Sequence, residues 1–219
     1  MLPFAFLLLT AAAPLPPCRF QDLATREQSL SDWPYTVLDT SFKLADSYAP
    51  PDLVALTELG VGTDETQLRE LVLPDLKALL EAADAAGSGL EVQSAYRSYS
   101  YQVSTFDYWV AQDGLAEALA TSARPGHSEH QLGTALDFRS AGEGSPAAWD
   151  VPDWRDTPEG AWLAENAARF GFVVSYPKGK KALTCYTYEP WHYRYVGREV
   201  AAAVQESGLT LREWLWQRR

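Results

Sequence analysis

The chain has 219 residues, 47% of them hydrophobic and 12% aromatic, with a formal net charge of -11. That is enough apolar material for one domain-sized core, which excludes a globally disordered chain. The acidic balance, with no basic stripe interleaved with aromatics, excludes nucleic acid as a partner.

Along the chain, residues 1–17 carry a short apolar run from Phe4 to Leu9 followed by small residues. The pattern resembles the apolar region and cleavage zone of a secretory signal, so export to a periplasm or cell wall is expected, although a basic leader is missing. The run is well short of the roughly 20 residues a membrane-spanning helix needs, so no span is expected. Lipid attachment at Cys18 is an alternative that Leu15-Pro16-Pro17 suits poorly, because lipoprotein processing prefers small residues there.

Residues 18–60 read as an irregular N-terminal arm packed on the domain, with a turn at Tyr48-Ala49-Pro50-Pro51-Asp52, and 61–219 as the main domain. Apolar Leu68, Val72, Leu76, Leu79, Leu80 and Ala83 recur at helical spacing, predicting an amphipathic helix over 66–86 that kinks or restarts at Pro74 and stops at Gly87. A strand over 90–95 delivers Arg97 to its end, and a helical region follows over 100–120. A loop over 124–128 leads to a strand over 134–139, with Ala135 and Asp137 on one face and Leu136 and Phe138 on the other. A helix over 159–170, strands over 172–176 and 193–196, and short helices over 198–207 and 211–216 complete the pattern. Helices and strands do not alternate strictly, so the fold class is α+β, a small antiparallel sheet flanked by helices.

There are two cysteines, Cys18 and Cys185. In an oxidising compartment they can bridge and tie the arm to the main body; equally, one terminal and one buried thiol can stay apart. Neither has the spacing of a zinc ligand.

The histidines number three, His127, His130 and His192. His130 and Asp137 share Ser128-Glu129-His130-Gln131-Leu132-Gly133-Thr134-Ala135-Leu136-Asp137, and His192 shares Glu189-Pro190-Trp191-His192. Two neutral imidazoles and a carboxylate make a three-ligand zinc site with one position open, leaving Glu189 free as a base. Each group also has a plain alternative: His130 and Asp137 as a hydrogen-bonded pair, Glu189 as a solvated loop carboxylate, His192 as a core histidine beside Trp191. Pro190 biases Glu189 toward extended backbone, where residues three apart face opposite sides, so Glu189 and His192 share a site only if a bulge or turn separates them.

S-x-H-x-x-G-x-A-x-D followed by E-x-W-H resembles the VanY-like zinc D-Ala-D-Ala carboxypeptidases, within the lysostaphin, D-Ala-D-Ala metallopeptidase and hedgehog structural group. The likeness continues through Ser94-Ala95-Tyr96-Arg97-Ser98, Gly171-Phe172 and Tyr193-Arg194-Tyr195-Val196-Gly197, and covers roughly residue 33 to the C-terminus. The resemblance implies a Zn2+ ion on His130, Asp137 and His192, Glu189 as catalytic base, and Arg97 as a fixed cation for the tetrahedral oxygen. It makes Gln102 a substrate contact. Ser128 and Tyr188 are further candidates to bind the peptide, although loop hydroxyls often satisfy local backbone instead. His127 is read as a loop residue near the site, and Trp191 as core packing. Leu132 and Cys185 depart from the pattern, standing where many relatives have Thr and Gly.

The implied activity is removal of the C-terminal D-Ala from peptidoglycan stem peptides by a monomeric zinc carboxypeptidase. The alternatives are an L,D-carboxypeptidase acting on tetrapeptide stems and a non-catalytic zinc-containing peptidoglycan-binding module. Intact Glu189 and Arg97 weigh against the module.

Overall fold

The structure, a computed structural model, describes residues 13–26, 29, 31–63 and 65–218. Most of the export segment lies outside them. Residues 13–17 lie against the end of the chain, with the Trp216 indole donating to the Ala13 carbonyl and Arg212 Nη2 to the Pro16 carbonyl.

The arm contains short pairings as well as irregular backbone. Strand β1 (Leu23–Ala24) lies parallel to β2 (Phe42–Lys43), and β3 (Leu53–Ala55) antiparallel to β4 (Gln67–Arg69). The predicted helix over 66–86 is corrected by this second pair. Leu68 is fully buried, but through strand pairing opposite Val54, and the helix proper, α1, runs Leu73–Ala85. Pro74 sits in its first turn, where a missing N–H deprives the helix of no bond; it starts the helix and does not kink it.

Four strands form the main antiparallel sheet: β5 (Leu90–Ser94), β6 (Ala135–Ser140), β7 (Phe172–Val174) and β8 (His192–Tyr195), in the order β5-β6-β8-β7. The helical region after β5 divides at Gly114 (φ 82°, ψ 160°) into α2 (Tyr99–Asp113) and α3 (Leu115–Thr121), because that backbone conformation suits glycine and interrupts the ladder. Helix α4 (Pro158–Asn166) runs on as a 3₁₀ turn to Phe170. A one-turn helix α5 (Lys181–Thr184), absent from the sequence reading, precedes α6 (Arg198–Ser207) and α7 (Leu211–Trp216), both as expected.

The period of two along β6 organises the interior. Leu136 and Phe138 are fully buried in a core with Leu76, Leu79, Trp154, Leu163 and Phe172, each such side chain contributing about 1.5–3 kcal/mol by leaving water. Asp137, between them, turns to the opposite face and lines a cleft. A second cluster of Val37, Val196, Ala201, Val204, Trp214 and Leu215 seats α6 and α7. A disulfide joins Cys18 to Cys185, resolving the two readings of the cysteines.

Candidate metal centre and cleft

The candidate ligands come from three places that the sheet brings together. Asp137 on β6 is paired in register with His192 on β8. His130 sits on a 3₁₀ turn, Glu129–Leu132, whose start is capped by the Ser128 hydroxyl accepting from the His130 amide. The turn ends at Gly133 with φ 71°, where a Cβ would stand 2.9 Å from Arg69 Cγ, so the glycine of the motif is required by conformation and by space. Glu189 and His192 are joined by the expected turn, the His192 amide donating to the Glu189 carbonyl at 3.3 Å.

The ligand atoms of His130, Asp137 and His192 lie within 4.8 Å of one another, and all three residues are buried. The partners of the imidazoles fix which nitrogen is free. His130 Nδ1 is hydrogen-bonded to the Ala95 carbonyl, so it carries the proton and Nε2 keeps its lone pair. That Nε2 is buried 3.3 Å from Asp137 Oδ2 without a hydrogen-bond partner. His192 is turned the other way: Nε2 meets Glu129 Oε2 at 3.0 Å, and Nδ1 faces Asp137 Oδ1 at 3.0 Å. Two converging imidazole lone pairs, one of them orphaned, and a carboxylate suit zinc, with ligand types and number that leave an open position.

The electrostatics agree. Burial, reinforced by the Arg97 charge, pushes His130 down to about 4, which keeps it neutral. Burial also works against charge on His192, but hydrogen bonds to Asp137 and Glu129 hold it up at about 10, so the two carboxylates favour a cation at this point. Glu189 lines the same cleft, and burial, with the Asp137 charge, pushes its carboxyl up to about 8.

Arg97 enters the cleft just past the end of β5. Its Nη1 bonds Ser94 Oγ at 3.0 Å and lies 3.7 Å from Asp137 Oδ2, and its Nε donates to Gln102 Oε1 at 3.0 Å. Gln102 is 1% exposed, and its amide nitrogen is bound to the Ala123 carbonyl at 2.8 Å. Its observed bonds hold Arg97 in place. Ser128 lines the cleft but caps the His130 turn, and Tyr188 lines it with its hydroxyl donating to Asp153 Oδ1 at 3.1 Å. His127 faces away: its buried ring bonds the Asp39 carbonyl at 2.7 Å and Asp22 at 3.1 Å, fastening the arm. Trp191 packs against the core and also lines the cleft.

Two residues of the site escaped the sequence reading. Glu129 is buried, accepting from Ser175 Oγ at 2.6 Å and from Arg194 Nη1 at 3.1 Å as well as facing His192. Although burial pushes its carboxyl up, the Arg194 charge and these hydrogen bonds hold it down at about 2. The available signal was an acid beside His130 and an arginine two residues after His192. The cleft encloses about 1080 Å³, room for several peptide residues.

Residues 65–198 match the family model described as VanY, D-alanyl-D-alanine carboxypeptidase. YodJ of Bacillus subtilis (strain 168) is 36% identical over 183 residues, 81% of this chain, which spans 65% of YodJ's own length. Among solved structures, the LD-carboxypeptidase LdcB superposes with a TM-score of 0.71 at 34% identity, covering 84% of this chain and 87% of LdcB. A mutant of the vancomycin-resistance D,D-pentapeptidase VanY from a VanB-type cassette, solved with Zn(II), gives 0.70 at 32% identity, covering 84% of this chain and 99% of that one.

Proposed function

Because the chain belongs to the VanY D-alanyl-D-alanine carboxypeptidase family, we propose that it is a zinc carboxypeptidase that removes the C-terminal D-Ala from peptidoglycan stem peptides. The observation that carries this reading is the orphaned His130 Nε2 converging with His192 Nδ1 and Asp137 in a cleft that also holds Glu189 and Arg97.

Held by His130, Asp137 and His192, zinc supplies a Lewis acid that polarises the scissile carbonyl and acidifies water. The Glu189 carboxylate takes the proton of the attacking water and returns it to the leaving amine nitrogen. The Arg97 guanidinium, immobilised by Ser94 and Gln102, provides a fixed positive charge for the developing oxyanion. Ser128 and Tyr188 line the same cleft and are the further candidates to bind the peptide's amides or terminal carboxylate, beside their bonds to the His130 amide and Asp153. The enzyme acts outside the cytoplasm: the leader-like apolar run and the Cys18–Cys185 disulfide both suit an oxidising compartment.

Similarity to LdcB supports a second bond preference, L,D-cleavage of tetrapeptide stems. Incubating the zinc-loaded protein with pentapeptide and tetrapeptide stems, with products read by mass spectrometry, separates the two. Loss of alanine from pentapeptide alone is the expected result; loss from tetrapeptide alone reassigns the bond; cleavage of neither refutes the carboxypeptidase reading.

A further inference from the structure

The cleft is electrically lopsided. Among its described lining residues the one lysine or arginine is Arg97, beside the metal ligands, whereas Asp113, Glu117 and Asp150 line it as well. Helix α2 begins two residues after Arg97 and turns Tyr101, Thr105, Trp109 and Asp113 toward the cleft at intervals of four, so one helical face supplies much of the wall. That wall runs from aromatic to acidic over about 18 Å, at about 1.5 Å per residue. Trp191, next to His192, touches Trp149 at 6.3 Å between ring centroids, and Trp149 touches Trp109 at 6.4 Å, which carries an aromatic surface outward from the metal ligands. Trp149 is 42% exposed. Asp113, Glu117 and Asp150 are exposed and have no ion-pair partner among the described residues.

We propose that the tryptophan-lined wall with Asp113, Glu117 and Asp150 is a subsite for the free side-chain ammonium of a diamino acid upstream of the scissile bond. Aromatic faces and carboxylates together attract an alkylammonium, and an acyl group on the amine removes the charge that both recognise. The reach is suitable. With the scissile carbonyl beside Arg97, one residue of extended peptide and a lysine-length side chain together span about 10 Å, which brings the amine onto the aromatic part of the wall. The subsite therefore selects stems whose third residue has an unacylated amine. This deepens the proposed carboxypeptidase reading and rests on it.

The test uses pentapeptide and tetrapeptide stems with L-lysine at the third position, each with the side-chain amine free or acetylated. kcat/KM is measured for the zinc-loaded protein, and Kd by calorimetry for its zinc-loaded Glu189→Gln variant. The free amine is expected to be preferred by about fivefold or more, a preference that weakens at high salt and vanishes in Asp113→Asn/Glu117→Gln, whose fold is checked by thermal melting. Equal kcat/KM and equal Kd for free and acetylated stems would overturn the subsite while leaving the carboxypeptidase reading intact. A preference that persists unchanged in the double variant overturns its assignment to this wall. If no stem is cleaved but the free-amine stem still binds more tightly, the carboxypeptidase reading fails and the subsite stands.

Discussion

Asp137 and His192, 55 residues apart in the chain, are direct cross-strand partners on β6 and β8, with His192 Nδ1 3.0 Å from Asp137 Oδ1. Two of the three candidate ligands are thus set by strand register. A slip of one residue would turn Asp137 into the core and Leu136 into the cleft, so the burial of Leu136 and Phe138 protects the site's geometry.

Glu189→Gln removes the proposed acid–base group without touching a candidate ligand. Hydrolysis is expected to fall by about 10²-fold or more, with zinc content by elemental analysis unchanged. Arg97→Ala removes a fixed cation and is expected to lower kcat by about 10²–10³-fold. Steady-state assays on a stem peptide, combined with metal analysis, check both. Loss of zinc in Glu189→Gln would mean that this residue helps hold the ion.

Glu129 receives the outward N–H of His192 and is itself held by Arg194 and Ser175. Glu129→Gln leaves all three ligands in place but weakens the acceptor that orients the imidazole. Zinc affinity, measured by competition with a chromophoric chelator, is expected to drop about 10–100-fold. Unchanged affinity would leave Glu129 a purely structural partner of Arg194.

Burial, the largest influence on His127, pulls its pKa below the ordinary histidine value, against the Asp39 carbonyl and the Asp22 carboxylate that its two ring nitrogens meet. A base whose folded-state pKa is depressed stabilises the fold above its unfolded pKa, and that stabilisation fades as pH falls below it. Between pH 7 and pH 5 the wild type is therefore expected to lose more melting temperature, or gain less, than His127→Gln. Parallel melting curves would assign the pH dependence elsewhere.

Cys185 is the one non-glycine among the described residues with positive φ, at 75°, a conformation that favours the glycine many relatives have there. Losing the cross-link is expected to cost about 2–5 kcal/mol, and Cys18→Ser/Cys185→Gly to be more stable than Cys18→Ser/Cys185→Ala by about 1 kcal/mol. Denaturant unfolding of the two variants gives the comparison.

The convergence of His130, Asp137, His192 and Glu189 on one cleft and the turn between Glu189 and His192 were legible in the sequence because zinc chemistry restricts residue type and spacing. The C-terminal helices were legible for a local reason: Thr210 and Glu213 form a reciprocal cap that announces α7. The segment before α1 was misread because Leu68 and Val72 suit helical spacing as well as strand burial, and only the distant partner Leu53–Ala55 decides between them. The bond between Gln102 and Arg97 was not legible, because sequence spacing cannot tell an amide that faces the cleft from one that braces an arginine. Glu129 was missed for a similar reason, since a buried carboxylate is recognisable only once Arg194 and His192 converge on it.

The disulfide closes a span of 167 residues, and its second sulfur sits four residues before Glu189. During synthesis Cys18 emerges early and has no partner until most of the chain has followed, so the cross-link cannot form on a fragment that stops short of Cys185. Helix α7 adds a later checkpoint, because Arg212 Nη1 grips the Leu183 carbonyl in the same segment. The segment that leads to Glu189 is thereby tied both to the arm and to α7.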